Sequence, residues 1–123
     1  MEMILLDTCV LIQFLKGDAI VIKKITGFTS PLLISTISEM ELYYGALNKK
    51  EQKMLEQFCT KFKVIQLAPD ISIQATKLIK QYAKSHSLDI PESLIAASCL
   101  ANRIKLYTLN VKDFRFIEGL KII

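Results

Sequence analysis

Short apolar runs, separated by longer amphipathic stretches, constrain the fold of this chain most strongly. Four of them cover residues 3–6, 31–35, 63–67 and 104–107. Runs of this length and composition are typical of strands that are buried on both faces of a parallel sheet. A fifth run, residues 120–123, predicts a last strand at the sheet edge. Strands that alternate with helices predict a three-layer α/β/α fold with a mainly parallel central sheet.

Six helices are predicted between the strands, from apolar periodicity and from residues that commonly begin or end helices. They cover residues 8–17, 18–26, 37–48, 49–61, 69–85 and 91–102. Thr36 and Glu39 have the spacing of a capping box, which predicts the start of the third helix.

Composition and cysteine usage limit the class of protein. At 123 residues, 51% of them hydrophobic, the chain is predicted to be one domain, residues 1–123, with an apolar surplus that fits a subunit interface. Cys9, Cys59 and Cys99 are odd in number and widely spaced, which predicts free thiols in a reducing compartment. No apolar stretch approaches the ~20 residues of a membrane span, and no leader pattern is visible. These features predict a cytoplasmic protein with no membrane segment.

Four acidic residues occupy comparable positions after the predicted strands. Asp7 directly follows the first strand, and Glu41 lies in the first turns of the helix after the second. Glu92 begins the last helix, and Asp113 comes six residues after Tyr107. The carboxyl ends of parallel strands meet at one edge of a sheet, so all four can reach one cleft. Clustered carboxylates repel one another unless a hard cation is present, which predicts Mg²⁺ or Mn²⁺.

Each acid also has a simpler interpretation. Asp7 can cap the helix that follows it, and Glu92 can interact with the dipole of its own helix. Asp113 can stabilise a turn, and Glu41 can lie on a solvated face. Asp7 is the hardest to explain in this way, because apolar runs flank it on both sides.

Three segments, LLDTCVLI (5–12), ISEMELYYGA (37–46) and IPESLIAASCLANRIKLYTLNVKDF (90–114), together resemble the PIN-domain family. The resemblance is greatest to the VapC-type ribonuclease toxins of prokaryotic toxin–antitoxin pairs, and it covers almost the whole chain. It implies a PIN-like fold and a Mg²⁺- or Mn²⁺-dependent endoribonuclease that hydrolyses RNA by metal-activated water. It also implies a cognate antitoxin protein as a partner and a homodimer.

The resemblance assigns roles residue by residue. Asp7, Glu41 and Asp113 match family acids, as catalytic residues and metal ligands. Glu92 holds the register of a further family acid, where the family usually has Asp, and Asp89 one turn earlier is the alternative ligand. Supporting roles are implied for Thr8, Thr108 and Asn110.

The charge distribution is compatible with a nucleic-acid substrate. Sixteen basic and twelve acidic residues give a net charge of +4. Without the four clustered acids, the rest of the chain has sixteen basic and eight acidic residues. This excess of basic residues favours a basic rim around an acidic centre. Lys16, Lys112 and Arg115 are the predicted phosphate contacts.

The four glycines form no GxxxxGK[ST] or GxGxxG segment, which argues against nucleotide-binding folds. The alternative is a non-catalytic PIN-like module with an RNA-binding or regulatory role.

Overall fold

The computed structural model describes residues 2–123 and contains one four-stranded parallel sheet with the strand order β3–β2–β1–β4. The strands are β1 (Ile4–Leu6), β2 (Leu32–Ser35), β3 (Lys63–Ile65) and β4 (Lys105–Tyr107). In the register of β1, Leu5 pairs with Leu33 of β2 and with Leu106 of β4. The predicted parallel sheet is therefore confirmed, with β2 and β1 as its two inner strands.

Six α-helices connect and cover these strands within the described residues. They are α1 (Thr8–Leu15), α2 (Ala19–Gly27), α3 (Thr36–Tyr44), α4 (Lys49–Cys59), α5 (Pro69–His86) and α6 (Ile90–Asn102). A 3₁₀ turn, Val111–Asp113, follows β4. Within residues 2–123, no helix is both long and apolar enough to cross a membrane.

The two faces of the sheet support separate apolar cores. Leu5 points to the layer of α5 and α6, and the C-terminal segment adds Phe114 to that core. Ile4 and Leu6 point the other way, into the layer formed by α1 to α4. Alternate residues of a strand face opposite sides, so a strand with helices on both sides must be apolar throughout. The predicted three-layer α/β/α architecture is confirmed.

The predicted fifth strand, residues 120–123, is wrong. Residues 120–123 form one isolated parallel bridge, between Leu106 and Ile122. Two backbone hydrogen bonds hold this bridge, each of 2.9 Å. Leu106 N–H donates to Lys121 O, and Ile123 N–H donates to Leu106 O. The segment pairs through its backbone only with Leu106, the middle residue of the three-residue β4, and forms no ladder.

The predicted capping box at Thr36 and Glu39 is also wrong. Strand β2 runs directly into α3, so the helix begins one residue early and Ser35 is its N-cap, accepting from Ile37 N–H at 3.1 Å. Glu39 instead accepts from the hydroxyl of Tyr43 at 3.4 Å. Because the strand leads straight into the helix, Thr36 lies inside α3 and not at its cap.

Candidate active site

The candidate site lies at the carboxyl ends of the two neighbouring strands β1 and β4. Asp7 directly follows β1, and Thr108 directly follows β4. The chain leaves β1 towards β2 on one side, while β4 flanks β1 on the other side. Crevices at such a change of direction are where ligands bind in parallel α/β sheets.

Asp7 is a buried carboxylate held by neutral donors. The residue is 6% exposed. Oδ1 accepts from Thr8 N–H at 2.9 Å, so Asp7 caps α1, and Oδ2 accepts from the Thr108 hydroxyl at 2.7 Å. The Cys9 thiol donates to the same Oδ2 at 3.3 Å. Within residues 2–123 the one ion pair joins Lys105 to Glu2, so no basic side chain neutralises Asp7. A buried carboxylate without a cation is costly.

Glu41 reaches the site from α3, the helix that follows β2. Its Oε1 accepts from the Thr8 hydroxyl at 2.7 Å. The same hydroxyl lies 2.8 Å from the Oγ of Ser38, which is completely buried one helical turn before Glu41. Thr8 thus contacts Glu41 through its side chain while its backbone N–H contacts Asp7.

These two acids share an open cleft of about 260 Å³ with the start of α6. Asp89, Glu92 and Asn110 line the same cleft. Asp113 lies outside this lining, in the exposed turn after β4. Three of the four predicted acids, together with the alternative ligand Asp89, therefore border one space.

Glu92 is engaged with its own helix. Its Oε1 accepts from Asp89 N–H at 3.1 Å, and Asp89 Oδ1 accepts from Glu92 N–H at 2.8 Å, so the two residues form a capping box. Burial, followed by the negative charges of Asp89 and Asp113, raises the pKa of Glu92 to about 7. The side chain thus fulfils its helix-terminal role, while neighbouring acids oppose its ionisation.

The acids do not converge as ligands in this arrangement. Within residues 2–123, no group of three or more Asp, Glu, His or Cys side chains is placed to hold a metal ion. The capping box turns Glu92 towards Asp89, and the Thr8 hydroxyl restrains Glu41. Four carboxylate residues nevertheless line the cleft, namely Asp7, Glu41, Asp89 and Glu92, and carboxylate oxygens are the hard ligands that Mg²⁺ and Mn²⁺ prefer. The chemistry of the cleft therefore fits such an ion, although the carboxylates are not arranged around a single point.

The three predicted phosphate contacts are all exposed. Lys16 lines a groove of about 320 Å³ that shares Ile12 and Glu41 with the acidic cleft. Lys112 belongs to the 3₁₀ turn after β4, and Arg115 follows that turn. The predicted basic contacts therefore lie on two segments, the end of α1 and the turn after β4.

The three cysteines are free thiols, as predicted. Cys59 and Cys99 are buried, and Cys9 is half-buried beside Asp7. Burial, with a contribution from the charge of Asp7, raises the pKa of the Cys9 thiol. A thiol with a raised pKa is a poor nucleophile at neutral pH.

Sequence reasoning missed Ser38. The sequence contained one indication of its position: Ser38 precedes Glu41 by three residues, and residues three apart lie on the same side of a helix. Only the contact with Thr8, thirty residues away, distinguishes it from other serines of the chain.

A comparison with protein families matches the PIN domain over residues 4–118. The chain belongs to the PIN-domain family. Curated relatives agree with this assignment. Ribonuclease VapC10 of Mycobacterium tuberculosis is 33% identical, over 97% of this chain and 91% of the relative. Ribonuclease VapC1 of Methanocaldococcus jannaschii is 30% identical, over 97% and 85%.

Solved structures share the PIN fold of this chain. A toxin–antitoxin complex from Klebsiella pneumoniae aligns with a TM-score of 0.82 at 26% identity, over 97% of this chain and 94% of the other. VapBC2 of Rickettsia felis, bound to a DNA fragment from its promoter, aligns with a TM-score of 0.84 at 22% identity, over 98% and 97%. The resemblance recognised in the sequence motifs is confirmed.

Proposed function

We propose that this PIN-domain chain is an endoribonuclease, the toxin of a toxin–antitoxin pair, with Mg²⁺ or Mn²⁺ as its cofactor. The observation that carries the proposal is Asp7, a buried carboxylate that has no cationic partner among residues 2–123 and that faces a cleft lined by further acids. Relatives named ribonucleases, each aligned over 97% of this chain, support the reaction class.

We assign the metal ligands to Asp7, Glu41 and Glu92, with Asp113 as the fourth acid. Asp89 is the alternative third ligand, because it borders the same cleft and has the shorter side chain. A bound ion supplies Lewis acidity towards a phosphate oxygen and lowers the pKa of water.

The polar residues behind the acids fix their orientation. Thr8 N–H and the Thr108 hydroxyl each bond one oxygen of Asp7, so that its carboxylate cannot rotate freely. Asn110 N–H donates to the Thr108 hydroxyl at 3.0 Å. Ligands held in advance in this way lose less freedom when they bind.

The basic residues would hold the RNA backbone around this acidic cleft. Lys16, Lys112 and Arg115 are exposed, and we assign each of them a contact with a phosphate of the RNA. Binding that depends on such contacts weakens as salt is raised, because the release of counterions into a more concentrated salt solution gains less entropy. Replacing any one with alanine is therefore expected to reduce the salt dependence of RNA affinity.

An apolar groove beside the cleft supports the antitoxin as partner. It runs between α1, α3 and α4, and Ile12 and Leu15 are partly exposed in it beside Leu42 and Leu55. A partner helix can lay its apolar face into such a groove. Co-purification with the product of the neighbouring gene tests the pairing. The homodimer also remains a proposal, for which the mass in solution is the test.

The experiment that tests the reaction is cleavage of a structured RNA pool by the purified chain. We compare Mg²⁺ or Mn²⁺ with EDTA, and wild type with Asp7→Asn. Loss of cleavage in EDTA is expected, together with a loss of about 100-fold or more in the variant. Asp18→Asn is the matched control, because Asp18 also caps a helix, accepting from Ile20 and Val21 N–H, outside the acidic cleft. Asn is an equally good cap, so this control should cleave like wild type.

One observation favours a second candidate function, that of a non-catalytic RNA-binding or regulatory module. Glu92 is one methylene longer than the family's usual Asp, and it is bonded to its own helix start. The same experiment separates the two proposals. Folded wild-type chain that binds the RNA pool but cuts none of it with either ion would support the binding module and contradict the ribonuclease.

A further inference from the structure

We propose that Ser38 is a positioning residue that fixes Glu41 by acting through Thr8. The inference rests on the proposed function, in which Glu41 is a metal ligand. Ser38 Oγ lies 2.8 Å from Thr8 Oγ1, which lies 2.7 Å from Glu41 Oε1. Ser38 is 0% exposed and Thr8 is also buried, whereas Glu41 is exposed. Two buried hydroxyls thus lead to one exposed carboxylate.

The chemistry of these groups fixes the direction of both hydrogen bonds. An ionised carboxylate has no hydrogen to donate, so the Thr8 hydroxyl must donate to Glu41. A hydroxyl carries a single hydrogen, so Thr8 has none left for Ser38. Ser38 must therefore donate to Thr8. The chain of donation runs from Ser38 to Thr8 to Glu41, and each bond polarises the next.

Ser38 differs from the other completely or almost completely buried helical serines in its bonding. Ser93 donates to Ile90 O at 2.7 Å, and Ser98 donates to Leu94 O at 2.8 Å. Bonding to a carbonyl of the preceding turn is the usual arrangement for a serine within a helix. Within residues 2–123, Ser38 directs its hydroxyl only to Thr8, on another helix. Its hydrogen bond joins α3 to α1 at the edge of the cleft.

The neighbouring acid has the same kind of support. Asn110 N–H donates to the Thr108 hydroxyl at 3.0 Å, and that hydroxyl donates to Asp7 Oδ2 at 2.7 Å. In both cases a threonine hydroxyl donates to an acid while a donor behind it occupies the threonine oxygen. Ser38 Oγ donates to the Thr8 hydroxyl in the same way as Asn110 N–H donates to the Thr108 hydroxyl. The two acids therefore depend on two matching pairs of hydrogen bonds.

Mn²⁺ affinity, measured by titration calorimetry on the full chain, tests the role of Ser38. Ser38→Ala should weaken Mn²⁺ binding about tenfold, the lower end of the effect of groups that orient metal ligands. The matched control is Ser98→Ala, because Ser98 is equally buried but donates to its own helix. The control should lose comparable thermal stability and bind Mn²⁺ like wild type.

A double variant distinguishes positioning from a general structural effect. Thr8→Val removes the same hydroxyl chain one step closer to Glu41, so its loss of Mn²⁺ affinity should equal or exceed that of Ser38→Ala. The combined variant should bind no more weakly than Thr8→Val alone, because residues that act in one chain are not additive. Should Ser38→Ala fail to fold, Ser38→Cys keeps a weak donor of similar size and should show an intermediate loss.

The outcomes separate this inference from the proposed function. If wild type binds no Mn²⁺, the metal site is wrong and the role of Ser38 is overturned with it. If wild type binds Mn²⁺ but Ser38→Ala binds it equally well, only the positioning role is overturned. Fully additive losses in the double variant would likewise overturn action through Thr8, while leaving the metal site intact.

Discussion

The hydrogen bond between Thr108 and Asp7 yields a stability prediction whose size follows from the structure. Thr108→Val removes a 2.7 Å bond to a buried carboxylate, and Thr108 itself is 3% exposed. The variant also loses the 3.0 Å bond from Asn110 N–H, but Asn110 is exposed, so that water can replace this bond. A hydrogen bond to a charged group contributes about 1.5–3 kcal/mol, and valine leaves no cavity, so we expect a loss of about 2 kcal/mol. With an unfolding entropy of about 2.1 cal/mol/K per residue, this lowers Tm by about 8 °C for a chain of this length.

Urea unfolding at neutral pH in EDTA, followed by circular dichroism, measures this difference without any metal contribution. Thr76→Val is the matched control, because the Thr76 hydroxyl donates to Ser72 O on the exposed side of α5. Its effect should stay within about 0.5 kcal/mol. An equally small effect for Thr108→Val would refute the reasoning, since it would mean that water or another donor satisfies Asp7.

Three further predictions concern parts of the molecule outside the cleft. Phe114→Ala should cost about 3–5 kcal/mol in the same urea titration, because Phe114 is 1% exposed in the core beneath α5 and α6. Ser87→Gly should raise the free energy of unfolding by about 0.5–1 kcal/mol, because Ser87 has φ of 58° at the end of α5, a left-handed conformation that strains side chains. Burial raises the pKa of Cys59 and Cys99, which lowers their thiolate fraction at pH 7.5, so mass spectrometry should find iodoacetamide labelling of both only after unfolding.

Local composition was sufficient to predict most of the fold. The strands β1 and β2 are apolar on both faces because helices cover both sides, and that requirement is visible in the residues themselves. The N-cap role of Asp7 was also readable, since a cap bonds the residues next to it in sequence. The motif order identified the PIN family, because the segments around Asp7, Glu41 and Asp113 are short but occur in one order across the chain.

Contacts between distant residues were decided by the tertiary structure alone. The capping box of Asp89 and Glu92 is local, but the cleft that these two residues share with Asp7 and Glu41 brings together segments far apart in the sequence. Ser38 acquired its importance from Thr8, thirty positions away, and one bridge at Leu106 replaced a predicted strand. The sequence by itself determined the four strands, the six helices and the acids that follow the strands, because propensity and the pattern of apolar residues are local properties. Which oxygen each hydroxyl meets depends on helix packing, and so only the tertiary structure decided it.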